Sequence, residues 1–311
     1  MKLPTFFNKT KKEYFEPYKF TYNNYSDICN DLLYGYTFDE LVNSLGYTSQ
    51  KIQCFKDRLQ ENNLTLNEGL ALYRYTISSN QIFALARNIT TEKEIKKNIY
   101  RDLKEKIDKK FPAQTATEIY TNVQEFLKTI DMSLPLKTIM KQIEEYKKIT
   151  HFDTLALGTA VEDLKNLSTA REHYSILCKT LNKTKLNENL ILYRAVNPDY
   201  LLKEYKDINN LIGKRLKQDS IISTSYTKSG FLKNPGYDLI FEIKANENIN
   251  GLNISWLSGY SNENEVLLSN VDFQVDSIRF DEDTKKYYAT CIAIPKDKEY
   301  EQLFTMENTL E

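Results

Sequence analysis

Glu263 and Glu265 stand two residues apart, where the polar loop Ser258-Gly259-Tyr260-Ser261-Asn262 runs into the apolar segment Val266-Leu267-Leu268. In a strand, residues i and i+2 project to the same face. The two carboxylates are therefore expected side by side where a strand begins next to a loop. Neighbouring carboxylates repel, and one of them tends to hold its proton more tightly. Such a pair does little for stability but suits acid–base work or the stabilisation of a cation. Alone, a Glu-x-Glu triplet is also an ordinary feature of a solvated strand face.

Two upstream segments change that balance. Leu190-Ile191-Leu192-Tyr193-Arg194-Ala195-Val196 is strand-like, with one arginine among apolar residues. A guanidinium is permanently charged, and its planar fork suits phosphate, so Arg194 needs either an anionic ligand or a carboxylate partner in the fold. Asp219-Ser220-Ile221-Ile222-Ser223-Thr224-Ser225-Tyr226 is a second strand-like run. On it Ser223 and Ser225 face one side and Thr224 the other. A hydroxyl there can donate to a carboxylate and fix its rotamer, or satisfy backbone groups at a sheet edge.

In this order, Arg194, then Ser223-Thr224-Ser225, then Glu263-x-Glu265, the chain resembles the mono-ADP-ribosyltransferases of the Arg-Ser-Glu type, which include bacterial toxins and secreted effectors. The resemblance covers roughly residues 153–295. Gly213 resembles the glycine that precedes the family's Ser-Thr-Ser strand. It implies NAD as substrate and no metal. It also implies that Arg194 contacts phosphate or ribose, that Ser223 orients Glu265, and that Thr224 and Ser225 line the NAD site. Glu265 would bond the ribose 2′-hydroxyl and stabilise the oxocarbenium-like state as nicotinamide leaves, a logic close to glycoside hydrolysis. Glu263 matches the position that reads the acceptor. A glutamate there resembles the arginine-specific subgroup, because a guanidinium with a pKa above about 12 needs a carboxylate to orient it and take its proton. Tyr260 matches the aromatic of the family's acceptor loop. The loop Thr227 to Tyr237 would close over NAD, with Phe231 against nicotinamide and Lys233 near phosphate. Ala195 departs from toxins that carry a second arginine at that position.

Two other outcomes fit the same motifs. One is an NAD glycohydrolase with water as acceptor. The other is a catalytically decayed domain that serves only interaction.

The chain has 311 residues and a formal net charge of −1, so bulk charge points to no nucleic-acid or membrane partner. The partner implied is a protein carrying the acceptor arginine. Two histidines, His151 and His173, leave little room for a histidine-based triad or metal site. His173, in a helical stretch, is expected to be structural. Cys29, Cys54, Cys178 and Cys291 lack metal-ligand spacing, sit among apolar neighbours and are expected to be small buried hydrophobes in a reducing compartment. Met1 to Lys12 lacks the apolar core of a secretory signal. The expectation is a cytoplasmic chain, or one secreted or injected with its leader uncleaved.

The first half is expected to be helical. Asp39 to Leu45 and Ser49 to Gln60 have helical spacing. Thr91-x-x-Glu94 and Thr115-x-x-Glu118 are capping boxes that should open helices running to about Lys110 and Thr129. Pro135 should start a third, with Ile139, Met140, Ile143 and Tyr146 as its apolar stripe. Helices over Asp153 to Leu167, Ser168 to Asn182 and Asp199 to Tyr205 follow. Strands then dominate: 221–226, 239–244, 252–255, 265–268, 273–280 and 287–294.

One segment repeats. Asn67-Glu68-Gly69-Leu70-Ala71-Leu72-Tyr73-Arg74 matches Asn187-Glu188-Asn189-Leu190-Ile191-Leu192-Tyr193-Arg194 at six of eight positions. Arg74 is thus a rival to Arg194, although no serine-rich strand follows it. Tyr25 and Asn30 resemble the family's NAD-facing pair on an early helix. The fold class implied is α+β. A mainly helical region over 1–150 precedes an ADP-ribosyltransferase-like domain over 151–296, made of helices and two packed, mainly antiparallel sheets. An acidic tail spans 297–311.

Overall fold

A computed structural model describes residues 24–77, 80–150, 154–218, 221–228, 236–260 and 264–296. Expectations placed on Glu263, Phe231, Lys233, the first 23 residues and the tail lie outside the described residues. The contacts divide the chain into two compact units. One is Tyr25–Leu177; the other holds Asn24 and the described residues from Cys178 on.

The first unit is helical: α1 (Ser26–Tyr34), α2 (Phe38–Asn43), α3 (Ser49–Glu61), α4 (Leu66–Ile77), α5 (Asn80–Ala86), α6 (Glu92–Asp108), α7 (Ala113–Thr129), α8 (Leu136–Thr150) and most of α9 (Thr154–Lys183). Ile95, Ile99, Leu103 and Ile107 recur every four residues on α6 and are buried, as are Ile139 and Ile143 on α8. Each such side chain contributes about 1.5–3 kcal/mol on burial. The Tyr146 ring stacks on Phe126 with centroids 3.9 Å apart. Thr91 and Glu94 form the expected capping box.

Local expectations fail at two places. Thr115 does not cap α7, which starts at Ala113 behind Pro112 (φ −57°), because proline's fixed φ presets the turn three residues earlier. The two helices expected to meet at Leu167 and Ser168 are one helix, α9, of 30 residues. There the Ser168 hydroxyl donates to the Lys165 carbonyl at 2.7 Å, so a residue that often caps a helix is satisfied within it. The division by contacts falls within α9, after Leu177.

The second unit contains β1 (Leu190–Val196), α10 (Asp199–Tyr205), a 3₁₀ turn (Ile208–Leu211), β2 (Arg215–Leu216), β3 (Ile222–Ser225), β4 (Leu239–Ala245), β5 (Gly251–Asn253), β6 (Glu265–Leu268), β7 (Val271–Asp281) and β8 (Lys286–Pro295). The strands follow the order β2-β7-β8-β4-β1-β3-β6-β5. Every ladder is antiparallel except β4 with β8. β1 meets β3 through one residue pair, Tyr193 with Ser225. The ladder therefore reads as a five-stranded and a three-stranded part joined at one edge. Leu192, Val196, Phe241 and Ile243 from the first and Ile222, Val266 and Leu268 from the second share one core. Gly251 admits no side chain, because a Cβ there would lie 2.8 Å from both Leu186 and Leu268.

Candidate active site

The β3/β6 ladder carries the chemistry. Its register pairs Ser223 with Leu267, Thr224 with Val266 and Ser225 with Glu265. Ser223, Ser225 and Glu265 share one face by strand alternation, and Ile222, Thr224, Val266 and Leu268 take the other. Ser223 Oγ donates to Glu265 Oε1 at 2.6 Å. Glu265 is only 5 % exposed. Thr224 does not present its hydroxyl to this face. It is buried and donates to the Val266 carbonyl at 2.7 Å, so the expectation that Thr224 lines the NAD site gives way to a backbone bond. Ser225 Oγ accepts the Thr227 amide at 3.0 Å and turns the chain out of β3.

β6 begins at Glu265, and Asn264 before it has φ +48°. That left-handed conformation, which asparagine tolerates, breaks the pleat. The Asn264 carbonyl accepts the Tyr226 amide at 3.2 Å.

Arg194 is half-buried on β1 and donates from Nη1 to the Ser223 carbonyl at 2.8 Å. Among the described residues it forms no ion pair with a carboxylate. Its charge is felt at Tyr200 on α10, whose phenol burial holds above its usual pKa while Arg194 pulls it back. Ser223 thus touches Arg194 through its carbonyl and Glu265 through its hydroxyl. Tyr260 is 56 % exposed, and its amide donates to Ser258 Oγ at 3.1 Å. Gly213 adopts φ +78° and donates to the Val275 carbonyl at 2.9 Å, just before β2.

The rival arginine belongs elsewhere. Arg74 lies on α4, so the repeated octapeptide is helix in one copy, while the other runs into strand from Leu190. The Arg74 side chain is buried in the helical unit, bonded to Asn166, to Thr169 Oγ1 at 2.9 Å and to His173 Nδ1 at 2.6 Å. Burial lowers its pKa to about 10. Tyr25 is also buried in that unit, its ring 5.7 Å from Phe55, and Asn30 accepts from the Tyr73 hydroxyl at 3.5 Å.

Sequence reasoning passed over two groups. Lys228, just past β3, pairs with Glu242 at 2.7 Å and lies 5.0 Å from the Tyr193 and Tyr288 ring centroids. Arg279 joins the same carboxylate at 3.1 Å and covers Tyr288. The second is Asn24, whose side-chain amide bonds the turn that leads to Tyr260. Neither belongs to a motif, and both partners lie far off in sequence.

Cys29 and Cys291 are buried and burial raises both thiols, the second to about 12, as expected of hydrophobic cysteines. Cys54 and Cys178 are only half-buried, against expectation, because each falls at the margin of a helix's apolar face. Among the described residues no group of three or more His, Cys, Asp or Glu is placed to hold a metal ion. No described helix is long and apolar enough to cross a membrane.

Residues 158–294 match the family described as ADP-ribosyltransferase exoenzyme. The match spans β1, β3 and β6, and so all of the Arg194–Ser223–Glu265 constellation. It supports NAD-dependent transfer of ADP-ribose. Similar solved structures include C3stau2 from S. aureus with NAD, 14 % identical with a TM-score of 0.42, covering 88 % of this chain and 98 % of that one. The Clostridium limosum C3 exoenzyme is 21 % identical with a TM-score of 0.36, covering 41 % of this chain and 70 % of that one. The BECa toxin of C. perfringens with NADH is 24 % identical with a TM-score of 0.34, covering 41 % of this chain and 36 % of that one. No curated protein matches the sequence.

Proposed function

We propose that this chain transfers ADP-ribose from NAD to the guanidinium of an arginine on a target protein, with release of nicotinamide. The observation that carries this reading is the bond from Ser223 Oγ to Glu265 Oε1 at 2.6 Å, beside a guanidinium that no described carboxylate neutralises. Arg194 then serves as the phosphate contact, since a half-buried cation with no carboxylate partner favours an anionic ligand. Glu265, held by Ser223, bonds the ribose 2′-hydroxyl and stabilises positive charge on the ribose ring as the bond to nicotinamide breaks. A carboxylate fixed in advance does this without reorganisation at the moment of reaction. Glu263 orients the acceptor guanidinium and takes the proton it loses, and Tyr260 on the adjoining loop meets the acceptor protein. The attacking nitrogen forms the new bond to the ribose carbon, and nicotinamide leaves neutral.

The test uses purified protein, labelled NAD and a cell lysate, beside Glu265→Gln. Labelled protein bands that vanish in the variant and are released by hydroxylamine are the expected result. Bands undiminished in the variant overturn the assignment of Glu265. Nicotinamide release without any labelled protein replaces the transferase with a glycohydrolase.

A further inference from the structure

Asn24 lies in none of the motifs that mark the site, yet its side chain reaches the segment between β5 and β6. Its amide nitrogen donates to the Ser255 carbonyl at 3.1 Å and to the Ser258 carbonyl at 2.9 Å. These carbonyls bracket a tight turn. Within it the amides of Leu257 and Ser258 both donate to the Ile254 carbonyl at 2.9 Å. The Trp256 indole is buried and donates to the Asn253 carbonyl at 3.1 Å. Two exits from the turn lead to the site. The Ile254 amide donates to the Glu265 carbonyl at 3.0 Å, and Ser258 Oγ accepts the Tyr260 amide.

We propose that Asn24 is a positioning residue for the acceptor side of the site, its amide fixing the 254–258 turn and through it Tyr260. This rests on the proposed transfer to a protein. An amide nitrogen carries two hydrogens, which two converging carbonyls require. Aspartate has the same shape but no hydrogens to give, and it sets a negative charge against two carbonyl oxygens. Glutamine keeps the donor on a longer arm.

The acceptor side and the NAD side of the site are held by different contacts. The Glu265 carbonyl also accepts the Ile254 amide, but its register with Ser225 and the Ser223 hydroxyl on its carboxylate hold it from the β3 side without Asn24. Tyr260 has its amide anchored on Ser258, which Asn24 holds directly. Loss of the clamp therefore loosens Tyr260 and leaves the NAD-facing carboxylate in place.

The chain has one tryptophan, Trp256, and it sits inside the clamped turn. Acrylamide quenching of its fluorescence reports this turn whether or not the chain is an enzyme. The comparison is the parent protein against Asn24→Asp and Asn24→Gln. Three quantities are read: Trp256 quenching, NAD affinity by calorimetry, and the KM for poly-arginine as acceptor. In Asn24→Asp, quenching rises and the acceptor KM increases about tenfold, the weight of one buried hydrogen-bonded contact, while NAD affinity is unchanged. Asn24→Gln falls between. Unchanged quenching in Asn24→Asp overturns the clamp. Equal losses of NAD affinity and acceptor binding in both variants, with a lowered melting temperature, overturn the positioning role in favour of simple destabilisation. If the parent modifies no poly-arginine, the proposed transfer to arginine fails, and the quenching result decides the clamp by itself.

Discussion

Ser223 donates to Glu265 across a diagonal of the β3/β6 ladder, because the residue standing directly opposite Glu265 is Ser225. Diagonal neighbours on one sheet face lie farther apart than opposed pairs, so the side chains must lean toward each other to meet. At 2.6 Å the contact falls in the range of a hydroxyl bonded to an ionised carboxylate. Such bonds contribute about 1.5–3 kcal/mol and here select one Glu265 rotamer. Ser223→Ala is expected to slow nicotinamide release about 10- to 100-fold at saturating NAD, with NAD affinity changed far less. Single-turnover kinetics alongside calorimetry measure both. An equal loss in the two would make Ser223 a binding residue instead.

Arg194 has two tasks that a substitution can separate. It bonds the Ser223 carbonyl, which ties β1 to β3 where the two strands share a single residue pair. It also supplies positive charge for phosphate. Arg194→Lys keeps the charge but loses the planar fork. We expect NAD affinity to fall about tenfold in Arg194→Lys and further in Arg194→Met, with ADP-ribose weakened in parallel. Nicotinamide alone, which has no phosphate, should compete as well against the variants as against the parent. Inhibition constants for the three ligands provide the measurement.

Glu263 is expected to act on the acceptor alone. Glu263→Gln removes the charge that orients a guanidinium and the base that takes its proton. Transfer to arginine should fall by about 100-fold or more, while nicotinamide release to water persists. Product analysis of one reaction, for free and protein-bound ADP-ribose, distinguishes these outcomes. A variant that loses both activities would place Glu263 in the NAD chemistry.

The site was legible in sequence where chemistry and strand alternation act locally. Arg194 and Glu265 sit on short apolar runs that mark strands, and Ser223 on a β-prone run of Ile, Ser and Thr. Thr224 turns to the core, as strand alternation from Ser223 and Ser225 requires. The octapeptide ending at Arg74 is the opposite case. With six residues shared with the segment 187–194 that leads into β1, it forms a helix, since Thr65 caps it through its bonds with Glu68 and Leu72 packs inside a helical core. Tertiary context overrides local preference there. Asn24 and Lys228 were invisible because each acts on a partner set by folding alone, hundreds of residues away for Asn24 and on the outer sheet face for Lys228.

Arg74 and His173 make the helical unit sensitive to acid. Arg74 can only donate, so His173 Nδ1 must be unprotonated to accept its bond. Burial, and then the neighbouring Arg74 charge, lower the His173 pKa to about 4 from an ordinary 6.5. Glu162 lies near enough to act on Arg74, but it does not reverse the shift at His173. The unfolded chain therefore binds a proton at His173 between pH 6.5 and 4 that the folded chain does not. Stability is full above that window and declines as pH falls through it, by an amount of order 3 kcal/mol once pH drops below 4. Urea midpoints at a series of pH values should show this slope in the parent. In His173→Gln, which can still accept the Arg74 bond but cannot titrate, the slope over the same window should flatten. An identical slope in both proteins would move the acid sensitivity to other groups.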